Sequence, residues 1–167
     1  IYFAIQNIAY FYAINAETLI IHPVKTVGPH SLSLFITGSA MTLLMTMRNQ
    51  YVFHGNAVKI GSGCVVVTGA SGAGKSTVAA AFLKAGYPLL SDDVCSIDAS
   101  QTPPLLYPAY PSINLWQNSL DAFQTSNEGL SPVREDLDKY HLPIGDQFWD
   151  TPLPVTHVYT LEISDLV

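Results

Sequence analysis

The run Gly69-Ala70-Ser71-Gly72-Ala73-Gly74-Lys75-Ser76 satisfies G-x-x-x-x-G-K-[ST] in full. Its chemistry is phosphate capture. Glycines let the backbone curl so that successive N–H groups point at phosphate oxygens, and a following helix adds the partial positive charge of its N-terminus. Lys75 is placed to reach the β- and γ-phosphates, and Ser76 to set its hydroxyl on a Mg²⁺ ion. Gly69 and the stretch Ser71, Gly72, Ala73, Gly74, Lys75, Ser76 and Thr77 are therefore the candidate nucleotide-binding residues.

A phosphate cradle names a ligand class and leaves the reaction open. The chain lacks the N-K-x-D guanine reader and the L-S-G-G-Q signature of transporter ATPases. It does carry Asp92-Asp93, 17 residues past Lys75, at the end of an apolar run. Two adjacent carboxylates can divide labour: one holds Mg²⁺ or its water shell, the other accepts a proton from an attacking hydroxyl. His54 lies on the strand-like run before the cradle. If that run neighbours Asp92, the imidazole can hydrogen-bond the carboxylate and tune it. Phosphoryl transfer also needs cations on the migrating group. The chain has only two arginines, Arg48 and Arg134. Arg134 and Lys139 share a polar segment that reads as a loop able to close over the site, and they are the candidate phosphate or substrate contacts.

The elements that must hold these groups follow from pattern. Residues 64–68 form a continuous β-branched run typical of a buried strand, and it feeds straight into Gly69. Residues 76–85 are alanine-rich and helical, with Gly86 placed to cap them. Residues 51–60 and 89–97 read as strands, the second interrupted at 91–93. Upstream, residues 2–14 and 18–24 read as two strands, followed by a buried amphipathic helix over about 31–49 with Ile36, Ala40, Leu43, Leu44 and Met47 on one face. Four prolines make 98–111 an extended loop. A short helix is expected over 115–123, a polar loop over 124–142 and a last strand over 155–163. These elements define one α/β domain over 1–167, with a mixed sheet and flanking helices. It divides into a lead-in (1–50), a nucleotide-binding core (51–97) and substrate-side loops with a closing strand (98–167).

Composition narrows the function classes. Of the 167 residues, 49% are hydrophobic and 12% are charged, against about 25% charged in an average soluble domain. Seven Lys and Arg against thirteen Asp and Glu give a net charge of −6. That balance argues against a nucleic-acid partner, which calls for a basic stripe. Residues 26–47 carry no formal charge, but their Gly, Pro, Ser and Thr content favours a core helix over a membrane span. Cys64 and Cys95 lie in apolar strand-like runs and read as buried thiols, which suits a reducing, cytoplasmic compartment. No basic segment precedes an apolar one as in a secretory signal. The chain opens at Ile1 inside an apolar run, so further sequence is expected beyond its ends.

The order and spacing of three segments, Phe53-His54-Gly55-Asn56-Ala57-Val58, Val65 through Ser76, and Leu90-Ser91-Asp92-Asp93-Val94, resemble the kinase domain of HPr serine kinase/phosphorylase. The later E-[IVLM]-R-G-[IV]-G element of those enzymes is absent. In its place stands Pro108-Ala109-Tyr110-Pro111-Ser112-Ile113-Asn114-Leu115-Trp116, which is similar to a diverged branch that includes kinases of lasso-peptide precursors. The resemblance implies a fold related to the ATP-dependent phosphoenolpyruvate carboxykinases. It implies ATP and Mg²⁺ as cofactors, Asp92 as the acid/base carboxylate, His54 as its partner, and Asp93 beside Ser76 at the metal. The expected activity is transfer of the γ-phosphoryl group to a serine hydroxyl of a peptide or protein. The alternatives are a small-metabolite kinase on the same cradle and a non-catalytic nucleotide-binding module. Homo-oligomerisation stays open.

Overall fold

The computed structural model describes residues 1–163. In chain order the strands are β1 (Tyr2–Ile5), β2 (Ala9–Ala13), β3 (Leu19–Pro23), β4 (Tyr51–Ile60), β5 (Gly63–Gly69), β6 (Leu89–Ser91), β7 (Val94–Asp98), β8 (Leu105–Tyr107), β9 (Ser112–Trp116), β10 (Ser131–Pro132), β11 (Lys139–Pro143) and β12 (Leu153–Leu161). The helices are α1 (Pro29–Phe35), which runs through a π-turn at Ile36–Ala40 into α2 (Met41–Met47), then α3 (Lys75–Lys84) and α4 (Gln117–Ala122).

The class is mixed α/β, as expected. A six-stranded sheet runs β5-β12-β8-β7-β4-β6, and a further β4–β5 pairing joins its two halves. The long strand β4 makes this possible. Its first half pairs with β7, from Tyr51 opposite Ile97 to His54 opposite Val94. Its second half pairs with β5 on one edge and β6 on the other. The sheet thus rolls on itself, and alternation along the strands feeds two cores. Ala57, Cys64, Val66, Leu90 and Cys95 fill the inside of the roll. Val58 and Leu89 face outward, against Ala79 and Leu83 of α3 and Ile113 and Leu115 of β9. His54 and Asn56 share the outward face of β4 with Val58, because side chains alternate with period two. That is the face of α3 and the phosphate cradle. Cys64 and Cys95 are buried free thiols, as read from the sequence.

Helix α3 ends as its sequence predicts. Gly86 takes φ +87. The amide of Tyr87 bonds Phe82 O at 3.0 Å and that of Gly86 bonds Leu83 O at 2.9 Å. Phe82 and Tyr87 meet edge to face at 5.7 Å. This is a Schellman cap with its apolar contact.

Several expectations are corrected. Residues 2–14 form a hairpin, because Asn7 adopts φ +62 and reverses the chain after β1. β8 interrupts the proline-rich loop. Residues 115–116 end a strand before α4 begins, because Ile113 and Leu115 alternate into the core. The polar segment 124–142 carries β10 and the start of β11, paired antiparallel. The amphipathic helix is only partly covered. Phe35 and Ile36 pack on Phe11 and Ala40 under the β1–β3 sheet, but 17% of its most apolar window is buried. The span Pro29–Met47 is 19 residues with mean hydropathy 1.2, long and apolar enough by composition to cross a membrane.

Candidate active site

The cradle sits between the end of β5 and the start of α3. Gly72 and Gly74 adopt φ +82 and +92, a left-handed backbone that residues with a Cβ rarely accept. Gly74 is the N-cap of α3 and has no side chain with which to cap it, so the helix N-terminus is open to a ligand. Lys75 is buried, and its Nζ donates to the carbonyls of Gly69 and Ala70, both at 2.9 Å. The ammonium is thus held at the loop by two neutral acceptors.

A cleft of about 730 Å³ opens at this point. Ser71, Gly72, Gly74, Lys75, Ser76 and Thr77 line one side; Gly69 and Ala73 belong to the loop without facing the cleft. Thr77 Oγ1 meets Ser119 Oγ at 3.2 Å. His54, Asp93, Trp116 and Lys139 also line it. Lys139 reaches the site because it lies opposite Trp116 in the β9–β11 pairing, with Nζ 5.9 Å from the indole centroid. Arg134 does not. It chelates Asp136 through Nε and Nη2, at 2.5 and 2.7 Å, and lines a different cavity with Gly28 and Ser31. Its neighbours Asp136, Leu137 and Asp138 do line the cleft. Next to Arg134, Glu135 accepts from the backbone amide of His30 at 2.8 Å, from that of Ser31 at 3.1 Å and from the Ser31 hydroxyl, capping α1 from a distance.

The carboxylate pair interrupts the strand that β6 and β7 would otherwise form. Asp93 takes φ +68, and the amide of Val94 bonds Asp92 O at 2.9 Å across it. This is a three-residue γ-turn of the strained hand, and it throws the two side chains to different places. Asp92 is 1% exposed. Its Oδ1 accepts from Asn56 Nδ2 and its Oδ2 from the Asn114 amide at 2.7 Å. Asp93 is half-buried and lines the cleft. Asn114 Nδ2 donates to Asp93 Oδ2 at 2.6 Å, so Asn114 steadies both carboxylates.

The expected His54–Asp92 contact is absent. His54 Nδ1 lies 2.9 Å from the backbone carbonyl of Asp93, because His54 pairs with Val94 and the γ-turn presents a carbonyl there. Asn56, two residues on and on the same face, takes the Asp92 partnership instead. Its polarity on an otherwise apolar stretch of β4 was the signal for that role. Asn114 carried no signal, because only folding brings β9 to the γ-turn.

Burial, and then the charge of Asp93, pushes the Asp92 carboxyl up to about 7. Asn56 Oδ1 and Asn114 Oδ1 are buried acceptors without partners among the described residues. A proton on Asp92 adds a donor to a cluster short of donors. An unfolded aspartate titrates near ~3.9. Between these values the folded chain keeps a proton that the unfolded chain releases, so this group's contribution to stability falls as pH rises through that window. Urea unfolding from about pH 4 to about pH 7 should show wild type gaining on Asp92→Asn as pH is lowered. A stability difference that is flat with pH would contradict this.

A second cavity, about 650 Å³, lies on the other side of Asp93 and His54, which line both. Leu34, Phe35, Phe53 and Tyr110 give it an apolar wall. The pair therefore stands between a phosphate cleft and an apolar space. Oxygen donors at the cleft, Ser76 Oγ and the Asp93 carboxylate, are of the kind Mg²⁺ prefers when it binds through phosphates and few side chains. Among the described residues no three His, Cys, Asp or Glu side chains gather into a dedicated metal site.

No family model matches the chain, and no curated protein does. Nine chains of solved structures match. One is the Hpr(Ser) kinase/phosphatase from Coxiella burnetii, at 17% identity and a TM-score of 0.45, over 66% of this chain and 58% of that one. The chain thus spans less than two thirds of that structure's length.

Proposed function

We propose that this chain is an ATP- and Mg²⁺-dependent kinase of the HPr-kinase type that transfers the γ-phosphoryl group to a serine hydroxyl of a peptide or protein. The observation that carries this reading is the position of Asp93, a carboxylate shared by the phosphate cleft and the apolar cavity beyond it. A nucleotide-binding module needs only the phosphate cleft. In a kinase the second cavity is where the acceptor waits.

The backbone amides of Gly72 to Ser76 bind the phosphates, and Lys75 exchanges its loop carbonyls for phosphate oxygens. Ser76 would hold Mg²⁺ arriving with the nucleotide, with Asp93 reaching the ion through its water shell, and the ion's charge would offset that of the phosphoryl group. Asn114 fixes Asp93 through Oδ2, which leaves Oδ1 for the acceptor. The seryl oxygen forms its bond to the γ-phosphorus as the bond to the β–γ bridging oxygen breaks. The hydroxyl proton passes to Asp93, and ADP leaves. Lys139 adds positive charge from the β11 side. His54, bonded to the Asp93 carbonyl, supports the turn. This ordering gives Asp93 the acid/base role that sequence reasoning gave to Asp92, because Asp92 is buried with both oxygens engaged. The acceptor side lacks the basic cluster that a phosphorylated sugar or nucleotide acceptor calls for, and within the peptide and protein class a precursor peptide stands ahead of an HPr-like carrier.

ADP production should be measured with seryl peptides, an HPr-like carrier, sugars and hydroxy acids in parallel. Turnover with a peptide or carrier supports the reading. Turnover with a small metabolite alone refutes the acceptor class.

A further inference from the structure

Beyond the second cavity lies a third, also about 650 Å³, and the two share Thr37, Val94 and Tyr110. The two adjoin there, between the Pro29–Met47 helix and β7, and we read them together as one groove narrowed where Thr37 approaches Tyr110. It starts at Asp93 and His54, passes Phe35 and Tyr110, and continues past Met41 and Met45 to Arg48. Among the described residues, Asp93 and Arg48 are the only Asp, Glu, Lys or Arg side chains lining it, one toward each end. Nε of Arg48 donates to Ala16 O at 2.8 Å, and its terminal nitrogens have no protein acceptor among the described residues.

We infer that this groove holds the acceptor as an extended peptide, with apolar side chains over the two methionines and an acidic side chain at Arg48. The inference rests on the kinase reading for its Asp93 end. Three features select this occupant. The groove shares Asp93 and His54 with the cleft where the hydroxyl must arrive. Its wall is apolar and includes two methionines, which adapt to varied side chains. Its one cation lies far from the phosphates, where it cannot serve the nucleotide and is complementary to a carboxylate. The acidic residue is therefore placed several positions from the serine, at the Arg48 end of the groove.

The test uses the whole chain and matched pairs of fluorescent peptides with a central serine and apolar flanks. Within a pair the two differ only in having Asp or Lys, and from pair to pair that position steps outward from the serine on one side and then the other. Binding is read by anisotropy without nucleotide, and phosphorylation separately. In at least one pair, wild type should bind the Asp peptide about fivefold or more tightly than the Lys peptide, and Arg48→Glu should reverse the order. Arg48→Gln, which keeps an N–H for Ala16, should abolish the preference, and Mg²⁺-ATP binding reports that each variant is folded. Equal binding of both peptides in every pair by wild type and Arg48→Glu overturns the groove. So does binding to lipid vesicles without binding to any peptide. Charge-selective binding without phosphorylation keeps the groove and fails the kinase reading. Phosphorylation without charge preference does the reverse.

Discussion

Lys75→Ala lowers turnover by about 10²–10³-fold, the scale set by removing one preorganised charge contact to a transition state. ATP affinity falls much less. The reason lies in what Lys75 does without ligand. Its buried ammonium rests on the carbonyls of Gly69 and Ala70, so binding a ground-state phosphate replaces two good hydrogen bonds with others. The gain comes as negative charge shifts along the phosphoryl group, and an interaction stronger in the transition state appears in kcat more than in binding. Single-turnover rates beside equilibrium ATP binding check this. Equal losses in rate and affinity would show Lys75 to be a ground-state ligand only.

Asp93→Asn removes the basic lone pair at the junction of the two cavities and keeps its shape. A positioned general base is worth about 10²–10⁴ in rate, and a loss in that range is expected with ATP binding largely retained. Asp92→Asn should act differently. Its carboxylate accepts two hydrogen bonds inside the fold, so an amide there turns a donor toward a donor. The expected result is lower stability and a smaller direct effect on transfer at temperatures where the chain stays folded. His54→Ala should cost less than either aspartate, since it contacts the turn through a backbone carbonyl. A mild Asp93→Asn beside an inactive but stable Asp92→Asn would restore the order that sequence reasoning chose.

The parts of this site that lie within one stretch of chain were legible. The cradle, its flanking strand and helix, the Gly86 cap and the break at Asp92-Asp93 all follow from local rules of turn chemistry and periodicity. What depended on tertiary approach was not. Arg134 and Lys139 looked equivalent in sequence. Pairing of β11 with β9 brings Lys139 to the cleft, whereas Arg134 lines the neighbouring cavity and reaches the cleft only through its partner Asp136. Asn114 reaches both aspartates only because β9 packs beside the γ-turn. The Pro29–Met47 helix read as a core helix, because its composition cannot distinguish an apolar face that packs from one that lines a groove. The division of roles within the carboxylate pair was hidden for a similar reason. Two adjacent aspartates are chemically identical in sequence, and only a left-handed φ at Asp93 buries one and presents the other.

The central claim is that a phosphoryl group leaves ATP in the cradle and arrives on a serine at Asp93. The direct measurement is incubation with γ-labelled Mg²⁺-ATP and an apolar seryl peptide, followed by identification of the labelled residue in the product. Label on the seryl oxygen, at one label per ADP formed and absent with Asp93→Asn, is the predicted result. ATP bound at one per chain with no label on any peptide or carrier contradicts it.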